Sequence, residues 1–206
     1  MARKPVLIFD FDGTLAPISK KPEATTISKR TRKELYKISQ SAEVIILTGR
    51  PSSFVRRQIR SRRIKIIGLH GNEKGRVDRE LLELRKRARI LGDIPGLRIE
   101  DKPLGFAIHY RKVPTDIQGK ARKRVLNFSK GTKARVLEGR KAFEFLPTNS
   151  KTKADSLVTI IAKNMNRKVL FVGDDRSDLE AIIRARTYKN FKGAIVESSE
   201  LKTTGV

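Results

Sequence analysis

The chain has 206 residues and is strongly basic, since 47 Lys and Arg residues against 22 Asp and Glu residues give a formal net charge of +25 at pH 7. It has no cysteine and only two histidines. This composition excludes disulfides, thiolate metal sites and a cysteine nucleophile, and it argues against a histidine-rich metal centre. The positive charge attracts anions, and phosphorylated substrates, nucleic acid and a general compositional habit of the source all stay open as its explanation.

The length suits one ordinary domain, or a core domain that carries a small insertion. No apolar run approaches the roughly 20 residues that are needed to span a bilayer. The first five residues lead directly into an apolar stretch and do not resemble a signal peptide. We therefore expect a soluble cytoplasmic protein.

Apolar runs alternate with helical periodicities along most of the chain. The runs predict strands that are buried on both faces, at residues 6–9, 43–47, 64–69 and 168–172, with a short strand at 194–196. Helical spacing of apolar residues predicts helices that begin near Ser28, near Ser52 or Ser53, and at residues 79–91, 154–165 and from 179 onward. This alternation indicates an α/β fold with a doubly wound parallel sheet.

The pattern changes after residues 92–96. Short apolar runs with hairpin-like spacing and one helical periodicity follow, at residues 97–99, 105–110, 117–128, 135–137 and 142–146. We interpret this block as a small inserted α+β cap domain. The predicted organisation is a first core segment at 1–96, a cap at 97–148 and a second core segment at 149–206.

Polar residues follow the predicted core strands where each strand ends. They are Asp10, Asp12, Thr48, Asp174, Asp175 and Asp178, and Lys153 opens the helix before the late strand. The carboxyl ends of parallel strands meet at one edge of a sheet, where ligands bind. Because an unpaired buried carboxylate is costly, we expect a divalent cation with oxygen ligands, such as Mg²⁺, beside them. Together these residues predict a phosphoryl-transfer site, in which the Thr48 hydroxyl binds phosphoryl oxygens and the lysine offsets charge.

The run after the first strand resembles the first motif of the haloacid dehalogenase (HAD) superfamily of phosphotransferases. The run is Asp10-Phe11-Asp12-Gly13-Thr14. The resemblance implies a HAD-like Rossmannoid core in which Asp10 is the phosphorylated nucleophile and Asp12 the general acid/base. A carboxylate at Asp12 favours a hydrolase, although phosphomutases keep it as well. The residues that we assign to the Mg²⁺ site are Asp10, Asp12, Asp174, Asp175 and Asp178.

Thr48 matches the hydroxyl of the second motif, whereas the lysine of the third motif has two candidates, Lys151 and Lys153. We favour Lys153 because it keeps the helical phase of Ala154 and Leu157. Only the lysine that offsets charge on the nucleophile and the phosphate is expected to matter for turnover.

A closer resemblance, to trehalose-6-phosphate phosphatases, covers nearly the whole chain. It rests on short runs in matching order, at residues 12–18, 48–50, 68–73, 100–102, 109–111, 139–144 and 173–178. It implies that the insertion is a lid that recognises the sugar, and that trehalose 6-phosphate is the substrate. The residues that we place at the substrate are Gly49, Arg50, His70, Arg111, Arg140, Lys141 and Glu144.

Alternatives to several of these assignments stay open. The chain departs from the usual pattern of that family at Asn72, Leu146 and Ala154, so another sugar phosphate, a phosphorylated sugar acid or a nucleic-acid end remains an alternative substrate. Arg50 also suits a salt bridge, and His70 a structural hydrogen bond. Glu144 also suits an ion pair with a basic neighbour.

An alternative from another class is a nucleic-acid-binding protein on a HAD fold. The basic runs, at residues 56–65, 85–89 and 120–124, are most simply solvated faces. They lack interleaved aromatic residues and any base-reading module, so we expect at most non-specific binding of nucleic acid.

Overall fold

The computed structural model describes residues 3–19, 24–75, 79–139 and 141–196. Contacts divide the chain into two compact units. The first combines Met1–Glu73 with Lys151–Val206, and the second is Lys74–Ser150. We refer to them as the parallel unit and the antiparallel unit, after the sheet that each contains.

The described residues form nine strands, six α-helices and two 3₁₀ turns. The strands are β1 (Val6–Phe9), β2 (Glu43–Leu47), β3 (Lys65–Ile67), β4 (Arg98–Lys102), β5 (Gly105–His109), β6 (Arg135–Gly139), β7 (Ala142–Leu146), β8 (Val169–Gly173) and β9 (Phe191–Ile195). The helices are α1 (Lys29–Ser41), α2 (Ser52–Ile59), α3 (Arg79–Arg87), α4 (Gln118–Ser129), α5 (Lys153–Ala162) and α6 (Arg176–Ala185). The 3₁₀ turns are Leu69–Gly71 and Ala88–Leu91. Across the described ranges, no helix is long and apolar enough to cross a membrane.

The parallel unit contains a five-stranded parallel sheet with the strand order β3-β2-β1-β8-β9. Successive side chains of a strand point to opposite faces of the sheet, and in this sheet apolar side chains lie on both faces. Helices therefore cover both faces. In β2, Val44 and Ile46 pack with side chains of α1 and α2. Ile45 and Leu47 pack on the other face with side chains of α5 and α6. The predicted doubly wound parallel sheet is confirmed.

The antiparallel unit contains a four-stranded sheet with the order β4-β5-β7-β6. Side chains of α3 and α4, among them Leu84 and Val125, pack with Phe106, Phe143 and Phe145 of the sheet. Phe106 and Phe145 are opposite each other in register, and their rings stack at 4.6 Å between centroids. This is the predicted α+β insertion, in which helices cover one face of an antiparallel sheet.

The start of the insertion differs from the prediction that the first core segment extends to residue 96. Helix α3 and the 3₁₀ turn after it belong to the antiparallel unit. The reason is packing, since Leu81, Leu84, Ala88 and Leu91 all lie in the apolar core of that unit. The apolar periodicity of residues 79–91 predicted a helix correctly, but periodicity does not say which sheet a helix covers.

The third strand ends at Ile67, two residues earlier than predicted. Leu69 and His70 have positive φ angles of 47° and 53°, so the chain turns there and the strand cannot continue. A non-glycine residue with a left-handed backbone conformation is destabilising by on the order of 1 kcal/mol or more, and residues with such strain cluster at functional sites.

Candidate active site

Three strands of the parallel sheet end in buried polar residues. Asp10 follows β1, Thr48 follows β2 and Asp174 follows β8, and their exposed fractions are 4%, 1% and 1%. Parallel pairing of β1 with both β2 and β8 brings the three strand ends side by side. The Asp10 N–H donates to the carbonyl of Val172 at 2.9 Å, which fixes Asp10 at the end of the ladder.

Lys153 is the cation at this edge. It is the first residue of α5, and a capping box between Thr152 and Asp155 holds the start of that helix. The Lys153 Nζ donates to Asp10 Oδ1 at 2.9 Å and to Asp178 Oδ1 at 2.7 Å. Lys153 is 4% exposed and Asp178 is fully buried, so water screens these contacts little.

Lys151, the other candidate for the motif lysine, has a different environment. Its side chain is exposed, and its backbone N–H and carbonyl both bond to the amide of Asn72, at 2.7 and 2.8 Å. Asn72 Nδ2 also donates to the Leu69 carbonyl at 2.7 Å, so this amide joins the turn after β3 to the segment before α5. The structure therefore brings Lys153 to Asp10 and leaves Lys151 at the surface. This role of Asn72 was missed, and its one sequence signal was the departure from the family pattern.

Asp10, Asp174 and Asp178 form a group of carboxylates whose ligand atoms lie within 4.8 Å of one another. Their close approach depends on two glycines. A Cβ at Gly13, where φ is 84°, would collide with the Asp174 carboxylate, and a Cβ at Gly173 would collide with that of Asp178. The glycine within the first motif, Gly13, therefore makes room for the Asp174 side chain, which follows a distant strand.

Two of the predicted metal ligands have structural partners in this cluster. Asp178 Oδ2 accepts from the N–H groups of Asp174 and Asp175, at 3.0 and 3.2 Å. The Asp175 carboxylate caps α6, since its Oδ1 accepts from the N–H of Asp178 at 2.8 Å and from the hydroxyl of Ser177 at 2.7 Å. Because Asp175 is used as a helix cap, it lies outside the group of three carboxylates among the described residues.

The cluster has more negative than positive charge. Burial raises the pKa of Asp10 to about 7, against the lowering effect of Lys153 and with a further rise from Asp178. Burial, together with Asp175 and Asp178, raises the pKa of Asp174 to about 6. Burial opposes the charged form of Lys153, but the neighbouring carboxylates outweigh it and raise the pKa of that lysine. Lys153 thus bonds to two of the three buried carboxylates, Asp10 and Asp178, whereas Asp174 accepts from the hydroxyl of Thr14 at 3.2 Å.

The residues of this cluster fit a divalent cation. Carboxylate oxygens are the hard ligands that Mg²⁺ prefers, and its octahedral shell commonly includes one or two of them. Both oxygens of Asp178 already accept hydrogen bonds, from Lys153 and from backbone N–H groups. Asp10 and Asp174 are therefore the carboxylates best suited to hold such an ion.

Asp12 forms a bidentate ion pair with Arg50. The Nε–Oδ2 and Nη2–Oδ1 distances are 2.7 and 2.6 Å. Arg50 is itself oriented by a bond from Nη2 to Thr25 Oγ1 at 3.1 Å and by the ring of Phe54, whose centroid lies 4.5 Å from the guanidinium carbon. Arg50 thus has the salt bridge that was one of its two interpretations. The Asp12 carboxylate faces Arg50 and is not in the group of three that the described residues form.

Thr48, Gly49 and His70 pack against one another beside this pair. Thr48 Oγ1 accepts from the Arg50 N–H at 3.1 Å, and the Thr48 carbonyl accepts from the His70 N–H at 3.0 Å. A Cβ at Gly49 would lie 3.0 Å from His70 Nε2, so glycine lets the ring approach the backbone. Burial and the nearby Lys153 lower the pKa of His70 to about 4, and the imidazole is therefore neutral near pH 7.

His70 Nδ1 is buried and has no hydrogen-bond partner within the described part of the chain. The structural hydrogen bond that was the alternative explanation of His70 is therefore not made by this ring nitrogen within the described residues. Its backbone is the bonded part, since the His70 carbonyl accepts from the Ser156 hydroxyl at 2.5 Å.

Glu144 of the antiparallel unit is partly buried, on β7. Burial raises its pKa, with Lys102 and His109 opposing the rise and Glu100 adding to it. Those three residues are bonded to one another, since Glu100 lies 2.7 Å from His109 Nε2 and 3.1 Å from Lys102 Nζ. Glu144 itself makes no ion pair within the described ranges, and its alternative explanation by a basic partner stays open.

For the other residues of the antiparallel unit that were predicted at the substrate, the structure gives exposure and backbone position. Arg111 and Lys141 are exposed. Lys141 has a φ of 57°, and its carbonyl accepts from the Tyr110 N–H at 3.0 Å, so it belongs to the turn between β6 and β7. Arg140 lies outside the described residues.

Comparisons with known proteins find similarity to trehalose-phosphatases and, in fold, to other haloacid dehalogenase-like proteins. The trehalose-phosphatase family model matches residues 8–81. A trehalose-phosphate phosphatase of Mycobacterium marinum is 30% identical over 200 residues, which are 86% of this chain and 50% of that protein. The crystal structure of a trehalose-6-phosphate phosphatase related protein has a TM-score of 0.70 and 22% identity, over 95% of this chain and 87% of that one. The crystal structure of a haloacid dehalogenase-like hydrolase from Bacteroides thetaiotaomicron has a TM-score of 0.61 and 18% identity, over 88% of this chain and 86% of that one.

The chain spans about half the length of the curated relatives that it matches. The segment that matches the family model includes Asp10, Asp12 and Thr48, and it ends before Lys153 and Asp174. The likeness to solved structures extends over both segments of the parallel unit and establishes the fold. In sequence and in fold, this chain resembles the trehalose-phosphatases of the haloacid dehalogenase superfamily.

Proposed function

We propose that this protein is a Mg²⁺-dependent phosphatase that hydrolyses a sugar phosphate, trehalose 6-phosphate, to trehalose and phosphate. The observation that carries the proposal is the buried group of Asp10, Asp174 and Asp178 around Lys153. A buried group of three carboxylates, two of which bond to the same lysine, is costly to maintain, so a role in binding or chemistry explains it better than a role in stability.

In the first step of the proposed reaction, a carboxylate oxygen of Asp10 attacks phosphorus, and the bond from phosphorus to the sugar oxygen breaks. Asp12 gives its proton to that oxygen, which leaves an aspartyl phosphate on Asp10 and the free sugar. In the second step Asp12 takes a proton from water, the water oxygen attacks phosphorus, and phosphate leaves Asp10. Asp10 and Asp174 would hold the Mg²⁺, which would offset the charge of the phosphate and let the Asp10 carboxylate approach it.

Three other residues support these steps. Lys153 keeps Asp10 in place through its 2.9 Å bond and offsets its charge. Arg50 orients Asp12, and proton transfer requires the Asp12 carboxylate to give up at least one of its two bonds to the guanidinium. The hydroxyl of Thr48, at the end of β2, is the candidate donor to a phosphoryl oxygen.

The choice of sugar is assigned to the antiparallel unit. The nucleophile Asp10, the general acid Asp12 and a metal ion contact only the phosphate and the leaving oxygen, which all phosphomonoesters have. Discrimination between sugars therefore needs groups that bind the sugar hydroxyls. Glu144, with Glu100, Lys102 and His109 around it, supplies charged groups that can each bind more than one hydroxyl.

A substrate screen tests this function directly. Phosphate release is measured from trehalose 6-phosphate, from other sugar phosphates, from a phosphorylated sugar acid, from a 5′-phosphorylated oligonucleotide and from p-nitrophenyl phosphate, each with Mg²⁺ and with EDTA. We expect turnover that EDTA abolishes and that is fastest on trehalose 6-phosphate. Turnover only on another sugar phosphate would retain the mechanism and replace the substrate, and no Mg²⁺-dependent turnover of any compound would contradict the proposal.

A further inference from the structure

A second polar feature of the parallel unit shares no residue with the carboxylate cluster. It is a groove of about 390 Å³ on the surface of α1 and the end of α2. The polar side chains that line it are mainly cationic, together with one tyrosine and one serine. They are Lys29, Arg32, Lys33, Arg60, Tyr36 and Ser61. Within the described ranges, none of the four cations forms an ion pair, whereas Glu34 and Lys37 of α1 pair with each other.

The first turns of α1 have an unfavourable charge for a helix. Ser28 caps the helix, Lys29, Arg32 and Lys33 follow within two turns, and the first turn contains no acidic residue. A helix N-terminus has a positive partial charge, so carboxylates stabilise it and cations weaken it. This arrangement reduces helix stability and at the same time concentrates positive potential at backbone N–H groups that bind anions well.

Arg60, on the other side of the groove, also breaks a local rule. It is the C-cap of α2 and has a left-handed backbone, with φ of 54°. Glycine is favoured in this conformation because any side chain adds steric cost. An arginine there places one more guanidinium at the groove. The cations at the start of α1 and the left-handed Arg60 both depart from local preference, and both add positive charge to the same surface. A binding site for anions explains such departures, whereas a solvated face does not require them.

Tyr36 gives the groove an aromatic surface. It lies on α1 and is 46% exposed. The sequence showed basic runs without interleaved aromatic residues, but folding places this tyrosine of α1 and Arg60, the C-cap of α2, in the lining of one groove. An aromatic ring among unpaired cations is the combination that single-stranded nucleic acid uses, with phosphates on the cations and a base stacked on the ring.

We propose that this groove binds single-stranded nucleic acid, with Lys29, Arg32, Lys33 and Arg60 at the phosphodiester backbone and Tyr36 stacked on a base. The groove is too rich in cations for a single inorganic phosphate. An acidic polypeptide would use the cations but would have no need of the exposed ring. The site is independent of the proposed phosphatase chemistry.

The test uses the full chain and a fluorescein-labelled oligouridine of about 12 nucleotides, with binding followed by anisotropy over a range of salt concentrations. The triple variant Arg32→Gln, Lys33→Gln, Arg60→Gln should weaken binding about tenfold or more at low salt. It should also reduce the slope of log K against log salt by about 2, since each lost phosphate contact contributes about 0.7.

A matched control removes the same charge from the opposite helical layer. Lys163, Arg186 and Lys189 are exposed, unpaired among the described residues, and lie at or after the ends of α5 and α6. Their change to glutamine should leave the affinity within about twofold. Equal losses in the two triple variants would mean that net charge alone binds the strand, and would overturn the proposal.

Tyr36→Ala separates nucleic acid from an acidic protein partner. It should lower the affinity for oligouridine about tenfold with no change of salt slope, whereas Tyr36→Phe should bind normally. Unchanged affinity in Tyr36→Ala, or equally tight binding of polyglutamate that is insensitive to Tyr36, would overturn the proposal in favour of a general polyanion surface. Thermal melting of every variant shows that the fold is kept. Hydrolysis by the variants should be unchanged, so failure of this proposal and failure of the proposed phosphatase function give different results.

Discussion

The two units of this protein bury different kinds of side chain. Among the described residues, the buried charged groups all belong to the parallel unit, where they are Asp10, Lys153, Asp174 and Asp178. The buried side chains that the structure describes in the antiparallel unit are apolar apart from Ser150. Its ion pairs, such as those of Arg85 with Asp101 and of Arg122 with Glu138, are solvent-exposed.

This difference indicates which unit carries a chemical constraint. Exposed pairs are screened by water and contribute little to stability. Buried charges cost stability unless they are fully paired, and at Asp10 the cost of burial outweighs the pairing with Lys153, since burial raises the pKa of Asp10 to about 7. The parallel unit therefore accepts an energetic cost at one edge of its sheet, whereas the antiparallel unit has the packing of an ordinary α+β fold.

The largest expected effect comes from removing one carboxylate of the cluster. Asp10→Asn keeps the shape of the side chain, but an amide cannot form an acyl phosphate. We expect kcat to fall by about 1000-fold or more, with a circular dichroism spectrum like that of the wild type. Asp116→Asn in the antiparallel unit, where the carboxylate is exposed, is the control and should be fully active. Retention of even a tenth of the activity by Asp10→Asn would contradict the mechanism.

Removing the one cation of the cluster should affect both stability and turnover. Lys153→Met leaves Asp10 and Asp178 buried without their partner, and breaking a buried pair in this way costs about 3–5 kcal/mol. We also expect a loss of kcat of about 100-fold that additional Mg²⁺ does not restore. Urea denaturation and steady-state kinetics measure the two effects. Lys151→Met, at the surface, is the matched control, and the reverse pattern would show that the motif lysine is Lys151.

The two lysines also show how far the sequence could be interpreted. The strand ends at Asp10, Thr48 and Asp174 were predictable, because apolar runs of this kind become parallel strands and their carboxyl ends share one edge. The choice of Lys153 over Lys151 followed from helical phase. Local periodicity was sufficient wherever a residue's role depends on the element in which it lies.

Roles that depend on contacts between distant segments could not be predicted in the same way. The ion pair of Asp12 with Arg50 joins residues 38 positions apart, and Asn72 bonds to a segment 79 positions away. The assignment of α3 to the antiparallel unit is of the same kind. The capping role of Asp175 is local, and the spacing of Asp175 and Asp178 at the start of a helix is a capping-box signal that could have revealed it.

Glu144 tests whether the antiparallel unit selects the substrate, and its expected effect is smaller. Glu144→Ala should lower kcat/KM for trehalose 6-phosphate about 30-fold, as loss of about 2 kcal/mol of transition-state binding implies. Hydrolysis of p-nitrophenyl phosphate, which has no sugar, should change little. Glu138→Ala, on the neighbouring strand β6 where the carboxylate pairs with Arg122, is the control. Parallel losses on both substrates would instead assign Glu144 a structural role.

The smallest expected effect concerns the stability of the cluster against pH. Burial raises the pKa of Asp10 to about 7 and that of Asp174 to about 6, from an ordinary value of 3.8. Between about pH 4 and about pH 7, the folded protein therefore binds more protons than the unfolded chain. Its free energy of unfolding without metal falls as the pH rises through this range. A divalent cation binds the deprotonated carboxylates and offsets this loss.

Mg²⁺ should thus raise Tm by about 2–4 °C more at about pH 8 than at about pH 5, if the linkage amounts to about 1 kcal/mol. Differential scanning fluorimetry in EDTA and in Mg²⁺ measures this difference. Asp10→Asn should remove most of it and Asp116→Asn should retain it, whereas an equal Mg²⁺ effect at both pH values would show that the carboxylates do not hold the ion.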